Sequence, residues 1–200
     1  MNKTFVKVLL AIVIVALSIL IIRSVNAPIK FENEINKRRA VIIERLKDIR
    51  TAENLFRTQN DRFTGSFDTL IEFIKVGQIP EVKMVPDPND TTFTRTIIDT
   101  IGFISIYDSL YSKNYKLDEL HLLEMIPYSQ NEKFTLTAGS INRGGLDVSV
   151  FEALAPMETY THDMNEQLVI NRKAEIELKN KYPGLKVGSM TEASTDGNWE

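Results

Sequence analysis

The sequence contains no cysteine. That excludes disulfide bridges, thiolate metal sites and a lipid-modified N-terminal cysteine, and it leaves the redox compartment open. Histidine is scarce as well, with only His121 and His162. Asp118 and Glu124 stand three positions either side of His121, and Glu158 and Glu166 four positions either side of His162. Those spacings converge only on a helix, and His121 falls in an expected strand and His162 in a turn-like stretch, so no metal ligand is expected. The chain also lacks a G-x-S-x-G elbow, a G-x-x-x-x-G-K-[ST] loop and a G-x-G-x-x-G turn. No catalytic or cofactor-binding residue therefore stands out, no cofactor is expected, and an enzyme is the minority reading. A Ser-His-Asp triad gathered from distant positions stays open to residue counting. Charge of one sign is not in excess either: 24 basic residues are interleaved with 27 acidic ones, for a formal net charge of −3. No basic patch forms, so nucleic acid is not an expected partner. A chain that is 43% hydrophobic and 26% charged is not globally disordered. Two hundred residues allow one ordinary domain and a tether.

What is present begins with a long hydrophobic run. Residues 8–22 are apolar except for Ser18. Adding Phe5 and Val6, with Lys7 snorkelling to the interface, extends the run to 5–22. Eighteen helical residues rise about 27 Å, just enough to span a hydrocarbon core. Phe5, Val8, Leu9, Leu10, Ile12, Ile14, Leu17, Ile19, Leu20 and Ile22 are the expected membrane anchor, which makes the lipid bilayer a partner through 5–22. A cleaved signal peptide is the alternative, because Lys3 and Lys7 precede the run and Val25-Asn26-Ala27 resembles a small-residue cleavage site. Pro28 directly after that cut fits the peptidase badly, so residues 1–27 are read as a short cytoplasmic tail and a retained anchor. Orientation is open. Arg23, Lys30, Lys37, Arg38 and Arg39 follow the span and Lys3 and Lys7 precede it, which by charge counting puts the C-terminal side in the cytoplasm. The short signal-like tail argues the other way.

Asn26 followed by Pro28 reads as an N-cap with proline in the first helical turn, so a second helix is expected to start there and to meet the span at a kink. Over residues 28–62, Ile35, Ile42, Leu46, Ile49, Ala52 and Phe56 recur at helical spacing on one stripe. Glu34 and Arg38 stand in the favourable i, i+4 order on what is expected to be the wet side. A helix to Asn60 makes a stalk roughly 50 Å long whose stripe packs on its own domain. Arg38, Arg45 and Ala52 at the alternate heptad positions disfavour a homotypic coiled coil.

Residues 63–188 read as the displayed domain. Ser66 caps a short helix over 67–76, with Leu70, Ile71, Phe73 and Ile74 on its buried side and Gly77 closing it. Pro80, Pro86 and Pro88 predict irregular chain. Period-two patterning follows: Phe93, Arg95 and Ile97 alternate with threonines, and Ile101, Phe103 and Tyr107 continue past Gly102. Further strands are expected at 121–128, 133–138 and 146–154, with 142–145 as a hairpin turn. A last helix over 165–179 precedes Pro183-Gly184 and an edge strand at 185–187. Residues 189–200 are expected to form a mobile tail unless Trp199 docks. Adjacent strands joined by short turns give an α+β class: an N-terminal transmembrane helix, then a long amphipathic helix packed on an antiparallel sheet. Asp87-Pro88-Asn89-Asp90 gathers oxygen ligands without the spacing of a calcium loop and reads as a capped turn. Asn142-Arg143-Gly144-Gly145 is a hairpin turn before it is a phosphate cradle.

Two resemblances add to this reading. The strings Glu44-Arg45-Leu46-Lys47-Asp48-Ile49-Arg50-Thr51-Ala52, Phe63-Thr64-Gly65-Ser66-Phe67-Asp68-Thr69-Leu70, Tyr182-Pro183-Gly184-Leu185-Lys186-Val187-Gly188-Ser189 and Gly197-Asn198-Trp199-Glu200 resemble a family of uncharacterised single-span proteins of Bacteroidota. That resemblance implies an inner-membrane, single-pass anchor with the C-terminal domain in the periplasm, and supplies no activity. Over roughly the first 75 residues the layout is also similar to type IV pilins and the pseudopilins of type II secretion, with Gln59-Asn60-Asp61-Arg62-Phe63-Thr64 leading into a capped helix and a sheet. The chain departs from the pilins in lacking a prepilin-peptidase site, and its first acidic residue is Glu32. Thr69, Thr91, Thr100 and Ser109, each after an aspartate, resemble O-glycosylation acceptors of the same phylum; an intact mass equal to the bare polypeptide would exclude that modification.

The expected function is a non-enzymatic, membrane-anchored periplasmic interaction or adaptor subunit of an envelope complex, with a protein partner in the envelope. A pilin-like assembly subunit and an envelope hydrolase with an unrecognised site are the alternatives.

Overall fold

The computed structural model describes residues 3–86 and 96–200, and the side chains of 5, 7–83 and 99–200 within them. One helix dominates. α1 runs from Lys3 to Asn60, 58 residues and about 87 Å. Pro28 lies inside α1, so the span and the stalk form one helix and not two meeting at a new N-cap. Proline removes the hydrogen bond to the carbonyl four residues earlier and crowds that carbonyl with its ring; at Pro28, which is exposed, the helix continues through both. The expected helix start at Asn26 is corrected accordingly.

The C-terminal half of α1 is embedded in the domain. Phe31, Ile35, Ile42, Leu46, Ile49, Ala52 and Phe56 are all buried. They meet α2 (Phe67–Val76), the inner face of β4 (Leu146–Pro156) through Phe151, Ala153 and Ala155, and β5 (Gly184–Gly188) through Leu185 and Val187. At roughly 1.5–3 kcal/mol for each aliphatic side chain taken from water, this stripe is the domain's main source of cohesion. Ser66 caps α2 by accepting from the Thr69 N–H, and Leu70, Ile71 and Ile74 are its buried face. Gly77 closes α2 in an extended conformation, its N–H donating to the Phe73 carbonyl. Phe73 meets Phe56 edge-on at 5.1 Å between ring centroids.

The sheet is two sheets. β3 (Thr135–Arg143), β4 and β5 form an antiparallel three-stranded sheet in that order. β3 and β4 turn over Gly144 and Gly145, both at positive φ, as the N-R-G-G string requires. Separately, β1 (Gln78–Pro86) pairs antiparallel with β2 (Thr96–Ser105) as a two-stranded ribbon. The register shifts between Glu81 and Val82, leaving Ile101 as the extra residue of a bulge beside Gly102. Pro80 and Pro86 thus belong to a strand and not to irregular chain, because each strand of a ribbon has an open edge where a missing N–H costs nothing. Phe93, Arg95, Pro88 and the 87–90 turn lie outside the described residues.

Three further expectations change. The strand expected at 121–128 is instead a 3-10 helix, Leu117–Glu124, followed by a single bridge from Met125 to Lys133. Leu120 and Leu123 are buried at the period of three that this helix presents, which a short apolar run does not distinguish from a strand. Tyr107 begins a π-helical turn to Tyr111 and does not prolong β2. The 189–200 segment folds back along β5: the Asn198 N–H donates to the Lys186 carbonyl at 3.0 Å and Gly188 N–H to Asp196 at 2.9 Å. Trp199 is half-buried against the core. Gly188 makes that reversal possible; at φ +76 a Cβ there would lie 2.2 Å from the Phe151 carbonyl oxygen. α3 (Met157–Thr161) and α4 (Glu166–Leu178, capped by Asn165) join β4 to β5.

Candidate interaction surfaces

The apolar end of α1 packs on none of the described residues outside its own helix. Phe5, Val8, Leu9, Leu10, Ile12, Ile14, Leu17, Ile19, Leu20 and Ile22 are all exposed. An 18-residue window of α1 reaches a mean hydropathy of 2.9 with none of it buried. A core helix of a water-soluble protein would be buried over such a stretch; this one fits membrane anchoring by length and composition. Ser18 donates its hydroxyl to the Ile14 carbonyl at 2.8 Å, so the one polar side chain of the run is satisfied within the helix. The first buried residue of α1 is Phe31, nine residues or about 14 Å beyond Ile22, so the domain begins close above the anchor.

The second unpartnered surface is the β1–β2 ribbon. Val82, Ile101, Phe103 and Ile104 are exposed, Phe103 at 67%. Among the described residues its strands pair with no third strand, and its base is held where the Ile106 N–H donates to the Gly77 carbonyl at 3.0 Å and the Gln59 side-chain amide to the Gln78 carbonyl at 2.7 Å. A two-stranded ribbon is marginal on its own in water, and open strand edges beside apolar side chains are templates for pairing with another chain.

Between these surfaces the stalk is held by polar contacts that its apolar stripe does not reveal. Arg38 is buried, not on the wet side. Its guanidinium donates to Asp163 through two nitrogens, at 2.5 and 2.8 Å, to the Tyr160 carbonyl at 2.8 Å and to Glu34 at 3.1 Å. It also stands over the Tyr128 ring at 5.3 Å. The Arg38 hydrogen bonds hold the Asp163 carboxyl down at about 2. One turn pair along, the Tyr115 hydroxyl donates to the Asp48 carboxylate at 2.6 Å and the Tyr111 hydroxyl to the Asp48 backbone carbonyl at 2.8 Å. Burial pushes the Asp48 carboxyl up against the lowering effect of that tyrosine bond. Arg45 lies over Tyr115 and donates to the Leu122 carbonyl. Glu53 is wholly buried: one oxygen accepts the Thr64 N–H at 3.0 Å, the other has no partner, and burial pushes the carboxyl up to about 8.

The remaining candidates are scattered. His121 and His162 are exposed, and the Nδ1 of each lies within reach of a carbonyl three residues back, at 2.8 and 3.3 Å. No group of three or more metal-binding side chains occurs among the described residues. Thr69, Thr100 and Ser109 are exposed, while Thr91 lies outside the described residues. Arg38–Asp163, Asp48 and Glu53 were not legible as sites, since their partners are up to 125 residues away. Arg38 did fall on a heptad position of the buried stripe, which was the available signal. No family model, curated protein or solved structure matches the chain.

Proposed function

We propose that the protein is a membrane-anchored, non-catalytic adaptor: it spans the inner membrane once, displays its α+β domain in the periplasm and binds another envelope protein there. The observation that carries this reading is the β1–β2 ribbon, with Val82, Ile101, Phe103 and Ile104 exposed and its strand edges open. Four exposed apolar side chains on a ribbon that meets its own domain at its base are the chemistry of a protein-binding arm. The stalk supports the same reading, because the domain that carries the arm grips α1 from Phe31, close above the apolar run.

The test is in-cell photo-cross-linking from position 101, followed by detergent extraction and mass spectrometry. A reproducible set of other envelope proteins, lost in Phe103→Ser while the thermal melt moves by no more than about 0.5 kcal/mol, is the expected outcome. An empty cross-link profile would end the adaptor reading.

The pilin-like alternative has its own observation. α1 is one continuous helix, apolar and unburied at one end and packed against the domain at the other. That shape also serves head-to-tail packing of apolar helices. Ladders of the chain cross-linked to itself through residues 5–22 would favour assembly over adaptation.

A further inference from the structure

A cavity of about 190 Å³ opens between the stalk, α4 and the segment entering β5. Arg39, Arg172, Lys179 and Lys181 line it, with the single acid Glu175 among them, and Tyr160 and Tyr182 form part of its wall. Four cations against one carboxylate leave an excess of positive charge in a concave space. Such an excess within one small enclosure is expensive unless something answers it, because like charges repel more strongly where water is partly excluded.

The donors are only partly used. Arg172 gives Nη1 to Glu175 at 2.9 Å, and Lys179 bonds the other Glu175 oxygen at 2.7 Å. The two cations hold that carboxyl below its ordinary range, Lys179 first and Arg172 second. The Nε of Arg172 is buried and has no hydrogen-bond partner; Glu32 comes only to 4.0 Å. Among the described residues Arg39 and the Lys181 ammonium make no ion pair. An unsatisfied buried guanidinium N–H is uncommon in a folded protein, and Arg172, which carries it, lines this cavity.

We propose that this cavity binds a phosphate monoester. A dianion with three acceptor oxygens matches two guanidinium groups and two ammonium groups better than a monocarboxylate, whose single charge leaves most of the excess standing. The organic part rests against the Tyr182 ring and the apolar wall formed by Met157 and Ile176. Height along α1 bears on the source. Glu32 and Arg39 lie about 15 and 26 Å beyond Ile22, whereas the headgroup layer is about 5–8 Å deep. The phosphate of an ordinary bilayer lipid falls short of the cavity, and a soluble or long-headed phosphate ester reaches it. The proposal stands whether or not the ribbon binds a protein.

The chain carries a built-in reporter, since Asn198 lines the cavity and its neighbour Trp199 is the only tryptophan. The full-length protein, in zwitterionic lipid nanodiscs at pH 7, is titrated with inorganic phosphate and with phenyl phosphate while tryptophan fluorescence is followed. The expected result is a saturable change, tighter for phenyl phosphate and absent with chloride at matched ionic strength. Arg39→Gln is expected to weaken binding about tenfold, and Lys181→Gln by a smaller factor; neither removes an ion pair, so both keep the wild-type melt. An effect reproduced by chloride, or affinities unmoved in both variants, would overturn the site. Repeating the titration in phosphatidylglycerol nanodiscs separates the sources: unchanged affinity assigns a soluble ester, and loss of binding assigns the lipid headgroup.

Discussion

At the scale of single residues, Ile49 and Glu53 stand one helical turn apart on the stalk, both wholly buried, and carry opposite chemistry. Ile49 contributes apolar area to the central cluster, and Ile49→Asp would place an unpaired charge there. We expect a loss of about 4 kcal/mol or outright unfolding, read by chemical denaturation of the detergent-solubilised chain. An unchanged midpoint would mean that the stripe faces solvent. Glu53 is itself the anomaly, with one oxygen unpartnered and its carboxyl pushed up to about 8 by burial, against an ordinary value of 4.5. The folded chain therefore binds a proton that the unfolded chain gives up. Stability is highest below the ordinary value, declines as pH rises from there towards 8, and levels off above it. Within that window Glu53 contributes a slope of at most about 1.4 kcal/mol per pH unit. Glu53→Gln, which keeps the shape without the charge, should flatten the slope and raise stability at pH 8. Parallel curves for the two proteins between pH 5 and 8 would show that Glu53 titrates normally.

At the scale of elements, α1 crosses two environments without a break. Pro28 is its only internal proline, and the first residue that the domain buries is Phe31. In a solvent-exposed helix interior, proline costs about 3 kcal/mol relative to alanine. Because Pro28 sits below the domain, that cost belongs to the joint between anchor and stalk and not to the core. Pro28→Ala should leave the domain's melting temperature unchanged while raising the hydrogen-exchange protection of residues 24–30. A rise in melting temperature would show that the joint and the core unfold together. The ribbon is the opposite kind of element. Its strands have strong β-formers in Ile79, Val82, Ile101, Phe103 and Ile104, yet they pack on little beyond their own base. The bulge at Ile101 adds twist, a device that keeps an open edge from pairing indiscriminately.

At the scale of the whole molecule, anchor and domain share a helix but not a core. Every side chain described from 7 to 30 is exposed, and burial begins at Phe31. A chain starting at residue 27 should therefore be soluble without detergent and melt within a few degrees of the full-length protein. Aggregation or loss of the cooperative transition would show that the lower helix supports the fold. The Arg38–Asp163 pair fastens α1 to the start of α4, and Arg50 pairs with Glu200 at 2.8 Å, so the stalk is gripped at two heights by segments late in the chain. These grips tie the last forty residues to the helix that enters the domain.

The anchor, the stalk stripe, the Ser66 cap and the Asn142–Gly145 turn could all be read from the sequence, because each depends on the chemistry of near neighbours: apolar run length, a 3.6-residue period, a side chain reaching an N–H three residues on, or glycine at positive φ. What required the tertiary structure depends on distant partners. Whether 117–124 coils or extends is decided by the seats that Leu120 and Leu123 find in the core. Arg38 turns inward because Asp163 waits 125 positions away, and Arg39 with Arg172, Lys179 and Lys181 becomes a cavity only when α4 lies against the stalk. Local periodicity has no access to such pairings. They are selected by burial and charge after the chain has closed on itself.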